Sequence, residues 1–274
     1  MADTFLRTVR RLLTGAPAAG ARTAGEPRSS NGASSFHLFW DLPGEWDWVA
    51  ATIEVVEPPT VDRLYFWALQ ASFVDKGRRG GAGHLGLQWN HRYPHKTAAN
   101  WGGYRSGGGE LDGSESPLPG TLGNRNTRDF LWEPGRAYRL QIGPVGEELA
   151  GADEIRGTNG LWAWPGTITD VETGEVTRVR DLHAAGTALS DPMVWSEVFA
   201  RCDHPAATVR WSDLEAGRPD GRVVRPASVR VNYQTHDKGG CANTNCWVDA
   251  QGRLFQRTCN DRRSAAGSRL ALPS

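Results

Sequence analysis

The sequence lacks several features that would point to a particular class of function. Its 31 basic and 31 acidic residues cancel and form no basic stripe, so no overall field attracts nucleic acid or an anionic membrane. No segment approaches the ~20 consecutive apolar residues of a membrane span. Neither a glycine-rich phosphate loop nor a G-x-S-x-G motif is present, which disfavours nucleotide use and α/β-hydrolase chemistry.

Glycine, proline and tryptophan are abundant instead. The 33 glycines and 16 prolines are spread along the chain, which favours short strands and turns over long helices. The 12 Trp, 5 Tyr and 8 Phe suit a wide sandwich core or stacking platforms for sugar rings. We therefore predict an all-β chain that forms one antiparallel β-sandwich domain, of jelly-roll or concanavalin-like type.

The segment 64–89 shows the clearest strand pattern. Its apolar odd positions are Tyr65, Trp67, Leu69, Ala71 and Phe73, then Leu85, Leu87 and Trp89. The pattern predicts two strands that send these residues into one core, joined by a polar, glycine-rich turn over 75–83. Pairing must keep both apolar sets, which are odd-numbered in each strand, on the same side of the sheet. The numbers of two residues that lie opposite each other must therefore add up to an even number. One allowed register places Gln70 opposite Gln88.

The other face of these strands carries polar side chains. Gln70, His84 and Gln88 lie on it, and two interpretations stay open. The amides either cap a solvated sheet face or line a shallow cleft that binds a glycan through paired donors and acceptors.

The ends of the chain differ in composition from the middle. We expect a disordered or targeting segment over 1–35, the β-sandwich over 36–262 and a frayed polar tail over 263–274. The first 14 residues fit a short amphipathic helix, whereas Arg10 and Arg11 before a small-residue segment look like a twin-arginine signal without its hydrophobic region. The location predicted is secreted or extracytoplasmic, with the cytoplasm as the alternative.

Four short motifs support a comparison with a known family. They are YFWALQ at 65–70, GHLGLQ at 83–88, WPGTITDVETGE at 164–175 and MVWSEVF at 193–199. In this order they resemble the DUF3472-type domain, a bacterial family of unknown function, over roughly residues 36 to 260. The resemblance implies an extracytoplasmic β-sandwich often found with polysaccharide-degrading proteins, and it carries over no catalytic residues.

Glu197 is the first candidate for acid–base chemistry. It lies between Trp195 and Phe199 on one face of a predicted strand, where lost solvation would raise its pKa. The alternative is a strand glutamate paired with an arginine. A glycosidase also needs a second carboxylate within about 5–10 Å. The candidates for that second carboxylate are Asp41, Asp47, Glu110 and Asp170.

Histidines and loop residues give further candidates. His84 with Tyr104 would supply the base and acid of a polysaccharide lyase. Trp101 and Tyr104, in a glycine-rich loop over 91–133, and Asn243 are predicted ligand contacts. His91 and His95 are four residues apart, but Pro94 disfavours a helix that would align them, and we predict no metal site.

The four cysteines are even in number. In an exported protein they would form two disulfides, with three possible connectivities. We predict that Cys241 pairs with Cys246 and leaves Cys202 to pair with Cys259. A zinc site is the rival, although the spacing matches no tight ligand pattern.

The sequence thus predicts a protein that recognises or acts on a bacterial or plant polysaccharide. It predicts no cofactor, no nucleic-acid partner and no membrane span. A glycoside hydrolase or polysaccharide lyase on the same scaffold is one alternative, and a surface interaction module without a small ligand is another. Whether the chain is an enzyme stays open.

Overall fold

The protein is an antiparallel β-sandwich. The computed structural model describes residues 21–145, 161–218 and 220–273, and these ranges contain sixteen strands in two sheets and no helix. The predicted all-β, single-domain sandwich is confirmed. In the described ranges no helix has the length and apolarity that a membrane crossing requires.

Sheet A has eight antiparallel strands. Their order is β16 (Arg269–Ala271), β13 (Ser228–Tyr233), β1 (Ser34–Trp40), β10 (Ala188–Val198), β3 (Tyr65–Asp75), β4 (Arg78–Trp89), β5 (Thr97–Arg105) and β6 (Thr127–Asp129).

Sheet B covers the inner face of sheet A. Its order is β14 (Asn245–Val248), β15 (Leu254–Arg257), β11 (Thr208–Gly217), β2 (Trp48–Glu57), β7 (Ala137–Ile142), β8 (Trp162–Asp170) and β9 (Val176–Ala184), with β12 (Val223–Val224) beside β11.

The core lies between the two sheets and follows the predicted alternation. The five odd-numbered apolar residues of β3 are buried in it, as are Leu85 and Leu87 of β4. Trp89 is partly buried against the same core. A period of two residues sends alternate side chains to opposite faces, so the even-numbered residues of both strands lie on the outer face of sheet A.

The turn between β3 and β4 is shorter than the sequence suggested. Lys76 and Gly77 form it alone, with φ of 48° and 76°, as a tight two-residue hairpin requires. The predicted turn over 75–83 is too long because Gly80, Gly81 and Gly83 belong to β4. At Gly83 an added Cβ would lie 2.6 Å from the ring of Trp101, so this glycine permits close packing within a strand.

This turn sets a register that differs from the one singled out above. Gln70 lies opposite His84, and Gln88 lies opposite Phe66. From Tyr65 to Phe73, beyond a register shift beside the turn, the sums of the paired residue numbers are even. Both glutamines therefore start on the same face, but they are not opposed to each other. The predicted Gln70 and Gln88 pair is therefore wrong.

Ordered structure extends beyond the predicted limits of the domain. The N–H of Cys202 donates to the carbonyl of Gly25 at 2.8 Å, and the N–H of Arg28 donates to the carbonyl of Gly239 at 2.9 Å. At the other end, β16 pairs with β13, so the residues assigned to a frayed tail include a strand. Strand pairing satisfies the backbone groups that a frayed end would leave to water. The predicted N-terminal helix or signal lies outside the described residues.

The disulfide joins a pair of cysteines that the sequence did not single out. Cys202 and Cys241 are bonded, with 5.5 Å between their Cα atoms. Cys246 is buried in the core, 3.1 Å from the hydroxyl of Tyr233, and Cys259 is exposed; neither is in a disulfide. Both predicted pairs are wrong, because Cys202 is bonded to Cys241 and the side chain of Cys246 on β14 is buried in the core. One disulfide is compatible with an extracytoplasmic location.

Candidate functional site

A pocket lies on the outer face of sheet A, and we call it the outer-face pocket. Its volume is about 310 Å³, at the lower end of the ~300–1,000 Å³ found for small-molecule sites. The lining residues are Asn31, Ser35, His37, Phe66, Gln70, Ala82, His84, Tyr104, Trp195 and Glu197. The four predicted residues Gln70, His84, Tyr104 and Glu197 therefore meet in one pocket.

Strand alternation and register bring these side chains together. Glu197 on β10 lies opposite Phe66 on β3, and Gln70 lies opposite His84 on β4. Tyr104 on β5 lies opposite Ala82, two residues before His84. Directly opposed residues on one face have their Cβ atoms about 4.5–5.5 Å apart, so these side chains lie side by side on β10, β3, β4 and β5. Ser35 and His37 extend the site to β1, the fifth neighbouring strand.

Three rings form the floor of the outer-face pocket. The centroid of Phe66 lies 4.9 Å from that of Trp195 and 5.7 Å from that of His84, and 5.8 Å separates His84 from Trp195. All three contacts are edge-to-face, a favourable arrangement for aromatic pairs. Phe66 and Trp195 belong to a small apolar cluster that is separate from the core. This cluster makes the floor rigid.

Tyr104 forms the exposed wall. Its side chain is 56% exposed, and its ring centroid lies 6.1 Å from that of His84. Large apolar rings of core residues are almost fully buried, so this exposure leaves one ring face free to contact a ligand.

Gln70 presents a hydrogen-bond donor to the outer-face pocket. Its Oε1 accepts a hydrogen bond from the indole N–H of Trp195 at 3.0 Å. The same bond fixes the orientation of the amide and turns Nε2 away from the indole. Nε2 has no partner within the part of the chain that the structure describes. It is therefore available to a ligand oxygen.

Glu197 presents an acceptor. Its Oε1 accepts hydrogen bonds from Nδ2 of Asn31 at 2.8 Å and from Oγ of Ser35 at 3.4 Å. Among residues 21–145, 161–218 and 220–273, Oε2 has no hydrogen-bond partner and no arginine or lysine forms an ion pair with this carboxyl. Burial raises the pKa of Glu197, and the two hydrogen bonds partly oppose that shift.

The two histidines of the outer-face pocket carry no charge near neutral pH. Burial lowers the pKa of His37 and of His84 to about 4, because the imidazolium form loses its solvation. Nδ1 of His37 is buried without a hydrogen-bond partner. Neither ring therefore supplies a positive charge to balance Glu197.

The lowered pKa values of the two pocket histidines can be measured directly. We expect the ring protons of His37 and His84 to titrate near pH 4 in NMR spectra. Since the folded-state pKa lies below the unfolded value of about 6.5, the unfolded chain binds protons first as the pH falls. Both rings thus remove stability between about pH 6.5 and 4. Ring protons that titrate near pH 6.5 would contradict the buried geometry.

Three predicted ligand residues lie elsewhere. Gln88 is buried, and its side-chain oxygen accepts a hydrogen bond from Asn90 at 3.1 Å. Trp101 is fully buried in the core because its position on β5 faces inward, the opposite side from Tyr104. Nδ2 of Asn243 donates to the carbonyl of Cys202 at 2.7 Å, beside a separate hollow of only about 10 Å³. The structure therefore does not bring these three residues into the outer-face pocket.

Several pocket residues were missed by the sequence analysis. The sequence did contain a signal for Phe66, because a large aromatic residue at an even position stands out on a face with mainly polar side chains. His37 of β1 gave no such signal, since its strand is not adjacent to β3. Asn31 falls in a segment expected to be disordered, so nothing pointed to its contact with Glu197.

The candidate partners for an acid–base pair do not reach the outer-face pocket. Asp41 forms an ion pair with Arg269, and Asp170 forms one with Arg136. Neither these two nor Asp47 or Glu110 is among the lining residues. Glu197 is therefore the single carboxyl in the pocket as the described residues define it.

The structure brings no metal-binding group together in the residues it describes. Within those ranges no group of three or more His, Cys, Asp or Glu side chains is arranged to hold a metal ion.

Comparisons with known proteins give distant structural likenesses. No family model and no curated protein matches the chain, so the resemblance to the DUF3472-type domain stays a prediction. The chain is similar to scytalido-glutamic peptidase with a peptide-based transition-state analogue, at 11% identity and a TM-score of 0.44, over 85% of this chain and 98% of that one. SCP-B, an eqolisin-family peptidase in complex with the tripeptide Ala-Ile-His, gives 10% identity and 0.44, over 86% and 98%. Tailspike protein 2 of bacteriophage CBA120 gives 13% and 0.28, over 74% and 24%. Likenesses this weak carry no conclusion about function.

Proposed function

We propose that the outer-face pocket binds a carbohydrate. The observation that carries the proposal is the combination of a free donor, a free acceptor and an exposed ring on neighbouring strands. These are Nε2 of Gln70, Oε2 of Glu197 and the ring of Tyr104. Sugars present paired hydroxyls and an apolar ring face, and a planar amide, a carboxylate and an aromatic ring complement these groups.

The polar groups are held in place before any ligand arrives. Trp195 fixes the amide of Gln70, while Asn31 and Ser35 fix the carboxyl of Glu197. Preorganisation lowers the entropy cost of binding, which matters for a ligand whose own hydroxyls are well solvated. The arrangement therefore supports recognition of a glycan of bacterial or plant origin.

The outer-face pocket is better suited to binding a glycan than to hydrolysing it with a pair of carboxyl groups. A glycosidase of that type needs an acid and a second carboxyl about 5–10 Å apart. Glu197 has no such partner among the lining residues. A substitution of Glu197 by glutamine should therefore affect affinity and leave no hydrolytic activity to lose.

A lyase is the second candidate, because one specific contact favours it. His84 is uncharged near neutral pH, as a general base must be, and its ring centroid lies 6.1 Å from that of Tyr104. This pair would remove a proton from the sugar and protonate the leaving oxygen. The formation of an unsaturated product from any polysaccharide that binds would establish this activity.

A glycan array of bacterial and plant polysaccharides tests the proposal, followed by calorimetry on the glycan that binds. We expect Tyr104→Ala to weaken binding about tenfold, the equivalent of ~1.4 kcal/mol, because the stacking surface is lost. Gln70→Ala should have a similar effect through its lost donor. The matched control is Leu131→Ala, which removes an exposed side chain outside the pocket (59% exposed). If no glycan binds, or if both pocket variants bind as the parent does, the proposal is wrong.

A further inference from the structure

The charge of the outer-face pocket restricts the class of sugar that it can accept. The ionisable residues that line it are His37, His84, Tyr104 and Glu197, with no lysine or arginine among its lining. Both histidines are neutral near pH 7, so the lining supplies no positive charge, and it is negative wherever Glu197 is ionised.

Oε2 of Glu197 has none of the hydrogen bonds or ion pairs that the structure describes, whereas Oε1 already has two donors. A half-buried carboxylate with one free oxygen is stabilised by a cationic group that approaches that oxygen. The pocket itself supplies none, so a ligand can supply it.

The rings near Glu197 favour the same kind of ligand. Phe66 lies directly opposite Glu197 across the strand pair, and Trp195 lies two residues before Glu197 on the same face. The negative face of an aromatic ring attracts an ammonium group. Both rings are almost fully buried in the pocket floor, so an ammonium at Oε2 would meet only the part of each ring that the pocket exposes.

We propose that the outer-face pocket selects glycans built from amino sugars with a free, protonated amino group, and rejects glycans built from uronic acids. This inference rests on the proposed carbohydrate binding. The amino group pairs with Oε2 of Glu197, while Gln70 and Tyr104 contact a hydroxyl and the ring face. A uronate would instead place a second carboxylate beside Glu197 in a pocket with no cation to separate them. The same repulsion opposes a lyase that acts on uronates.

Three oligosaccharides of equal length test the selection by calorimetry at pH 6 and low salt. They are an oligomer of glucosamine, its N-acetylated counterpart and an oligomer of galacturonic acid. We expect the glucosamine oligomer to bind at least tenfold more tightly than the N-acetylated one, and the uronate to show no binding. Raising the salt concentration should weaken the first interaction most, because it depends on charge.

Glu197→Gln isolates the charge, since glutamine keeps an oxygen that can accept from Asn31. The variant should lose at least tenfold in affinity for the glucosamine oligomer and less than about twofold for the N-acetylated one. Glu175→Gln, at an exposed position on the turn after β8 of sheet B, is the matched control and should change neither.

The outcomes separate the two proposals. If none of the oligosaccharides binds and no glycan binds on the array, the proposal that the pocket binds carbohydrate is wrong. The proposal that it selects amino sugars is then wrong as well. If the N-acetylated or the uronate oligomer binds as tightly as the glucosamine oligomer, or if Glu197→Gln keeps the preference, the selection is wrong while carbohydrate binding stands. Tighter binding of a lysine-rich peptide than of the glucosamine oligomer would also overturn it, because the cation would then belong to a protein.

Discussion

Replacing Trp101 with alanine is expected to lower the free energy of unfolding by about 3–5 kcal/mol, a large part of the ~5–15 kcal/mol typical of a domain. The side chain is fully buried between the two sheets, and its indole N–H donates to the carbonyl of Trp164 at 3.1 Å. Its removal would leave a cavity and take one hydrogen bond from a buried carbonyl.

The surroundings of Trp101 cannot easily close that cavity. Gly83 and Gly166 pack against the ring so closely that a Cβ added to them would lie 2.6 and 2.7 Å from its atoms. These glycines bring backbone, not flexible side chains, against the indole, and backbone relaxes little.

Urea unfolding followed by fluorescence and circular dichroism measures the effect. The matched control is Tyr104→Ala, which truncates an exposed aromatic residue on the same strand and should cost less than about 1 kcal/mol. A Trp101→Ala variant that unfolds within 1 kcal/mol of the parent would show that this ring is not part of the core.

Removing the disulfide is the second large effect that we expect. The double variant Cys202→Ser, Cys241→Ser should lose about 3–4 kcal/mol, since the bond joins residues 39 apart in the sequence and restricts the unfolded chain. Substituting both cysteines prevents the remaining thiol from pairing with Cys259. The urea midpoint measures the loss.

Cys259→Ser is the control, because this thiol is exposed and unpaired. It should leave the midpoint unchanged. Peptide mapping without reduction should also recover Cys202 joined to Cys241. A fragment that joins Cys202 to Cys259, as the sequence analysis predicted, would contradict the observed pairing, and so would a double variant as stable as the parent.

The face of each side chain in β3 and β4 could be predicted from the sequence, but the register could not. Alternation assigns Trp67 and Leu87 to the core and Gln70 to the outer face whatever the register, since every shift by two residues preserves the faces. The choice among those shifts depends on where the chain reverses. Lys76 and Gly77 make that reversal, and the glycines after them gave a misleading signal because they serve close packing.

The candidate site was predictable to a similar extent. Gln70, His84, Tyr104 and Glu197 were chosen for their chemistry, and they meet because β10 and β5 flank the central hairpin. The sequence does not state which strands become neighbours. It therefore could not show which cysteines lie close enough to form a disulfide. Nor could it show that Trp101 lies on a strand and not in a loop.

The contact between Asn31 and Glu197 has a practical consequence for anyone who trims this protein. A shortened chain that starts at Phe36, the limit suggested by composition, would lack Asn31 and Ser35. Glu197 would then lose both hydrogen-bond donors, hold a proton to higher pH and rotate more freely. Such a fragment would report a weaker affinity than the intact pocket has.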